Sequence, residues 1–151
     1  MPIQHIVLFD GNERNNLLPL TATRTVADLR IGILTIKEKW EKYLNVKVDI
    51  LTQDYLQPKY AYEAKDNTVF INASVLPTDD LLVAIEKIDN EMVIKNDATI
   101  IALRTNNLIY SLADLYNVID KLDSKTIQLS NSPINFPWDI FTVNGQEIKN
   151  D

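Results

Sequence analysis

Cysteine is absent from the 151 residues, so the chain can form no disulfide and no thiolate metal site. That absence fits a reducing cytoplasm. Histidine occurs once, at His5. One imidazole without cysteines or clustered acids does not make a metal centre, so His5 is expected to be structural. No apolar run approaches the roughly 18–20 residues of a membrane span, and no basic-then-apolar leader opens the chain. Positive charge is not in excess either. Fifteen Lys and Arg against 21 Asp and Glu leave a net charge of -6, which disfavours nucleic acid and anionic membrane as partners.

What remains is the composition of an ordinary folded domain. Hydrophobic residues make up 46% of the chain, enough for one sizeable core at this length. Ile3–Phe9 reads as a first strand, and its run Ile6-Val7-Leu8-Phe9 is apolar on both faces, as in a strand covered on both sides. Ile33, Ile36, Trp40, Tyr43 and Leu44 recur at helical spacing and predict a helix over Leu34–Leu44. Val46–Leu51 and Thr68–Asn72 read as strands. Between them, Asp54–Tyr62 carries three tyrosines around Pro58 and reads as a packed loop or short helix, with a stacking surface for a sugar or base as the alternative.

Thr78-Asp79-Asp80 starts a helix with Leu81, Leu82, Ile85 and Ile88 on one face; its acids complement the helix dipole better than they suggest a metal site. Glu91–Lys95 and Ala98–Arg104 read as a hairpin turning at Asn96-Asp97. Ser111 caps a further helix with Leu112, Leu115, Val118, Ile119 and Leu122 inward, and Thr126–Leu129 reads as a short strand. Strands alternating with helices imply an α/β layered domain with a largely parallel sheet, made mixed by the hairpin.

The chemistry concentrates after the first strand. Asp10-Gly11-Asn12-Glu13-Arg14-Asn15-Asn16 is polar and turn-forming, and Leu17-Leu18-Pro19-Leu20-Thr21-Ala22-Thr23-Arg24 follows. A polar loop at the carboxyl end of a buried strand is where α/β sheets bind ligands. Its backbone N–H groups, with nearby arginine, suit phosphate. The same residues also read as a solvated surface loop, because Gly11 is its only glycine. Arg14, Arg24 and Arg30 form a cationic spot on an acidic chain, better matched to a small phosphorylated ligand than to a polymer.

Leu17, Pro19-Leu20-Thr21 and Arg24 fall at the spacings of a known signature, and Gly11 matches its first glycine. The stretch resembles the sugar-1-phosphate nucleotidyltransferases (pyrophosphorylases), whose first strand leads into G-G-x-G-T-R-L-x-P-L-T and then x-x-R-P-K. The longer run RNNLLPLTATR…ADLRIGILTIKEKW resembles a divergent, GlmU-like branch of that family. The resemblance implies a Rossmann-like, mostly parallel mixed sheet with helices on both faces. It implies binding of a nucleoside triphosphate and a sugar 1-phosphate, with Mg²⁺, to form a nucleotide sugar and release pyrophosphate. On this reading Arg24 and Arg14 are the catalytic cations, Gly11, Asn12, Asn16 and Thr21 face nucleotide and phosphate, and Asn72 and Ser74 face the sugar.

Residues 1–151 then form one nucleotidyltransferase-like domain, shortened or the N-terminal part of a longer protein with a left-handed β-helix acyltransferase domain. An apolar patch near Phe136 and Trp138 would serve docking or a homo-oligomer. The departures are specific. The family's later glycines become Asn12 and Arg14, its loop arginine becomes Asn16, its Pro-Lys becomes Thr25-Val26, and its metal-binding aspartate becomes Ser74. Asp10 or Asp28 would then have to help hold metal, although Asp28 and Arg30 read equally as a structural ion pair. A catalytically degenerate binding domain and a purely structural domain stand as alternatives.

Overall fold

The computed structural model describes residues 5–10, 30–31, 34–45, 47–52, 57–60, 62–65, 67–73, 75, 79–88, 91–96 and 99–126. In chain order these are β1 (His5–Phe9), β2 (Arg30–Ile31), β3 (Leu34–Thr35), α1 (Ile36–Leu44), β4 (Asp49–Leu51), a 3-10 turn (Gln57–Lys59), β5 (Thr68–Asn72), α2 (Asp79–Glu86), β6 (Met92–Asn96), β7 (Thr99–Thr105), α3 (Leu112–Ile119) and β8 (Asp123–Thr126). The main sheet has the order β4-β1-β5-β7-β6-β8. β1 is parallel to both neighbours, with Val7 opposite Asp49 and Phe70. β7 is antiparallel to β5 and β6, and β8 is parallel to β6. The result is an α/β mixed sheet with β1 inside it, as its apolar run implies.

The alternation along each strand sorts side chains into two cores. Ile6 and Leu8 join Ile50, Val69 and Ile71 beneath α1 and α2, where Ile36, Trp40, Leu81 and Ile85 meet them. Val7 and Phe9 join Leu51, Phe70 and Leu103 beneath α3, which contributes Leu112, Leu115 and Ile119. Helices on both faces explain why β1 has no polar side.

The helix ends follow local chemistry. The Thr35 side chain accepts from the Glu38 N–H while Glu38 Oε1 accepts from the Thr35 N–H, a reciprocal capping box. α1 therefore starts at Ile36, and it stops at Asn45, whose φ of 56° is left-handed. The two residues before Ile36 pair instead with β2, a small hairpin absent from the sequence expectation. Ser111 Oγ accepts from the Asp114 N–H, as expected of a cap. The β6–β7 register pairs Asn96 with Thr99, so the connection is residues 97–98, one position later than expected. The last described strand is Asp123–Thr126, which starts three residues before the expected Thr126–Leu129; it is held by pairing to β6 and its side chains are exposed, and residues 127–129 lie outside the described residues. The expected patch near Phe136 and Trp138 lies outside the described residues. Among the described residues, no helix is long and apolar enough to cross a membrane.

Candidate functional site

The chain leaves β1 toward β4 and leaves β5 toward β6 and β7, so strand order reverses between β1 and β5. Ligands of open α/β sheets bind outside the carboxyl ends of strands at such a reversal. Three residues mark those ends: Asp10 after β1, Thr52 after β4 and Asn72 closing β5. All are buried, at 1%, 1% and 2% exposure.

They form a hydrogen-bonded rim. The Asp10 N–H donates to the Leu51 carbonyl at 3.1 Å, and the Ala73 N–H to the Phe9 carbonyl at 2.9 Å, so pairing continues past the strands. The Thr52 hydroxyl donates to Asp10 Oδ2 at 2.5 Å. The Thr52 N–H donates to Gln57 Oε1 at 2.9 Å, and the Tyr116 hydroxyl reaches the Asp10 carbonyl from α3 at 3.5 Å. Asn72 Nδ2 donates to the Ile100 carbonyl at 2.9 Å, tying β5 to β7. The rim is thus a fixed platform from which residue 11 and its successors depart.

Of the sequence-predicted site residues, Asn72 and the metal candidate Asp10 are on this rim. Gly11, Asn12, Arg14, Asn16, Thr21, Arg24 and Ser74 lie outside the described residues, as does Asp28. Thr52 and Tyr116 were not anticipated. Thr52 had a signal, since it follows β4 as Asp10 follows β1; Tyr116 had none, because its contact with Asp10 spans 106 positions.

Mg²⁺ is held by one or two carboxylates together with phosphates and water. The rim supplies one carboxylate, Asp10, which already accepts from Thr52. Among the described residues no group of three or more His, Cys, Asp and Glu gathers for a metal ion. Among the described residues Asp10 is therefore the rim carboxylate that could contribute to a magnesium centre completed by phosphates and water.

The opposite end of the sheet is structural. His5 contacts Thr68 Oγ1 through Nδ1 and Asp49 Oδ2 through Nε2, both at 2.9 Å, tying together the amino ends of three parallel strands. Arg104 is 7% exposed; its Nε and Nη2 donate to Asn67 Oδ1 and its Nη1 to the Ile88 carbonyl. That guanidinium serves the fold rather than a phosphate.

No curated protein matches the chain in sequence. Among solved structures, a protein from Bacillus anthracis assigned as a glucose-1-phosphate thymidylyltransferase, crystallised with sucrose, superposes with a TM-score of 0.55 at 10% identity, over 97% of this chain and 96% of that one. At that identity the likeness establishes a shared fold. The sequence model of the sugar nucleotidyl transferases matches residues 6–151, from the first buried strand onward. With that match and the strand-end rim in agreement, the chain belongs to the sugar nucleotidyl transferase family.

Proposed function

We propose that the chain binds a nucleoside triphosphate and a sugar 1-phosphate at the carboxyl rim of β4, β1 and β5, and joins them into a nucleotide sugar. A phosphate oxygen of the sugar 1-phosphate would form a bond to the α-phosphorus, and the bond from that phosphorus to the departing pyrophosphate would break. The observation that carries this reading is the rim itself. Asp10, Thr52 and Asn72 stand at the carboxyl ends of three parallel strands where the order reverses, and the Gly11–Arg24 stretch follows at once. In this reading Gly11, Asn12, Asn16 and Thr21 face phosphate, Arg14 and Arg24 neutralise it, and Asn72 and Ser74 lie toward the sugar. Mg²⁺ belongs to the proposal, supplying charge neutralisation at the triphosphate; among the described residues Asp10 is the candidate to hold it.

A second reading keeps the fold and the binding but not efficient chemistry. It is favoured by Thr25-Val26 and Ser74, where the resembled family has Pro-Lys and an aspartate. Serine is a poor ligand for a hard dication compared with carboxylate. Titration calorimetry with UTP, dTTP and sugar 1-phosphates, paired with a pyrophosphate-release assay, separates the readings. Binding with Mg²⁺-dependent release supports the transferase. Binding with little release supports the degenerate domain. Neither leaves a structural domain. Membership of a GlmU-like branch, a following β-helix domain, a cytoplasmic setting and self-association extend the same proposal.

A further inference from the structure

Beside β4, an end strand of the described sheet, runs an open groove of about 860 Å³ lined by Gln57, Pro58, Tyr60, Tyr62, Glu63, Ala64 and Tyr110. Its wall is tied to β4 by Gln57, bonded to the Ile50 carbonyl and the Thr52 N–H, and by the Glu63 N–H, which donates to Asp49 Oδ2. Three phenol rings from two separate segments converge on it, and its size falls in the range of about 300–1,000 Å³ typical of ligand sites.

The groove's polar groups narrow the occupant. The Gln57 amide is fully committed: Nε2 donates to the Ile50 and Tyr60 carbonyls, and Oε1 accepts from the Thr52 N–H. The Tyr62 hydroxyl donates to the Ile109 carbonyl. A neutral sugar needs directed donors and acceptors, and the donors of these two side chains are already taken. Burial, then the charges of Asp49 and Asp114, pushes the Tyr62 phenol up to about 12; those neighbouring carboxylates make the field at this ring negative, which disfavours phosphate. Glu63 is the acid among the described lining residues, with its side chain 75% exposed. Its nearest described cation, Lys65, stands 3.7 Å away and is itself half exposed, a pairing of the weak, screened kind that a better partner displaces. Tyr110 is 67% exposed. Aromatic rings, an exposed proline and an exposed carboxylate suit a planar cation on an extended chain.

We propose that this groove docks an extended polypeptide segment bearing an arginine, the guanidinium resting against Tyr110 and paired with Glu63. Arginine fits better than lysine because its planar fork both stacks and binds carboxylate through two donors. The groove adjoins the proposed transferase rim at Gln57, which holds the Thr52 N–H, but Tyr110 and Glu63 are not residues of that rim, so failure of the docking would leave the transferase reading untouched.

The test is an NMR titration of the full chain with the capped peptide Pro-Pro-Arg-Pro, its citrulline counterpart, and methyl glucoside. The arginine peptide is expected to shift the amides of Tyr60, Tyr62 and Tyr110, with affinity falling as salt rises. The citrulline peptide, the same shape without the charge, is expected to bind about two- to fivefold more weakly, as are Tyr110→Ala and Glu63→Gln with the arginine peptide. Both replaced side chains are exposed, and a thermal melt confirms that each variant folds. No shift at millimolar peptide overturns the proposal. So does equal binding of the citrulline peptide, or methyl glucoside shifting these amides while the peptide does not.

Discussion

The Thr52 hydroxyl donates to the Asp10 carboxylate at 2.5 Å, across the carboxyl ends of two neighbouring strands and out of solvent. A buried carboxylate is costly unless it keeps its donors. Thr52→Val preserves the shape and removes this one. The expected loss is about 1–3 kcal/mol of stability, the desolvation cost of an acceptor deprived of its partner. Thr52→Ser keeps the hydroxyl and should stay much closer to the parent. Urea unfolding of the two variants checks this, and equal losses would count against the hydroxyl as the cause.

Trp40 sets a second test. It is 0% exposed in the core under α1, and its Nε1–H donates to the Val75 carbonyl just beyond β5, at 2.9 Å. Trp40→Ala removes both packing and bond and should cost about 3–5 kcal/mol. Trp40→Phe keeps most of the packing and leaves the carbonyl without that donor, so a loss of about 1–3 kcal/mol is expected. The order Ala below Phe below parent in urea midpoint is the outcome to look for.

Tyr62 gives the pH dependence. Burial first, then nearby Asp49 and Asp114, raises its phenol from 10.0 to about 12. In the unfolded chain this tyrosine loses its proton near 10; in the folded chain it keeps it to about 12. The folded state therefore binds more protons across that interval, and stability falls as pH rises through it. Below 10 the contribution is fully present. Tyr62→Phe removes the titration and should flatten this part of the stability profile relative to the parent, while costing about 0.5–1.5 kcal/mol at neutral pH for the lost bond to Ile109. Denaturant midpoints taken at several alkaline pH values, parent against variant, measure it.

The parts of the fold that were readable are those where burial writes a period. Ile6–Phe9 announced a strand covered on both faces, and Ile36 with Trp40 a helix with one buried side. Ser111 announced its cap. The start of β8 at Asp123 was not readable because Asp123–Thr126 is polar and exposed; backbone pairing to β6 holds it, and pairing leaves no hydrophobic pattern. The β2–β3 hairpin has two residues per strand, too short to show alternation. At the rim, Asn72 was foreseen as a strand-end residue, but the Asp10–Thr52 bond joins positions 42 apart. Such a partnership exists only once β4 lies beside β1. The reading of the Gly11–Arg24 loop rests on its sequence and on the rim from which it departs.

Arg24 carries the sharpest prediction. Pro19 fixes the backbone just before Thr21, and Arg24 follows three residues later, an arrangement suited to presenting a hydroxyl and a guanidinium together. If that guanidinium meets the triphosphate, Arg24→Ala should weaken UTP or dTTP binding by about 1.5–3 kcal/mol, the worth of a hydrogen bond to a charged group. The melting temperature of the unliganded protein should hardly move. Arg24→Lys should recover only part of the affinity, because an ammonium cannot offer two parallel donors to one phosphate. A structural arginine, paired for instance with Asp28, predicts the reverse: a lower melting temperature, and nucleotide affinity that does not follow the substitution. Calorimetric titration and thermal denaturation of the same two variants decide the matter. A fall in stability with unchanged affinity would remove Arg24 from the phosphate site while leaving the Asp10 rim where it is.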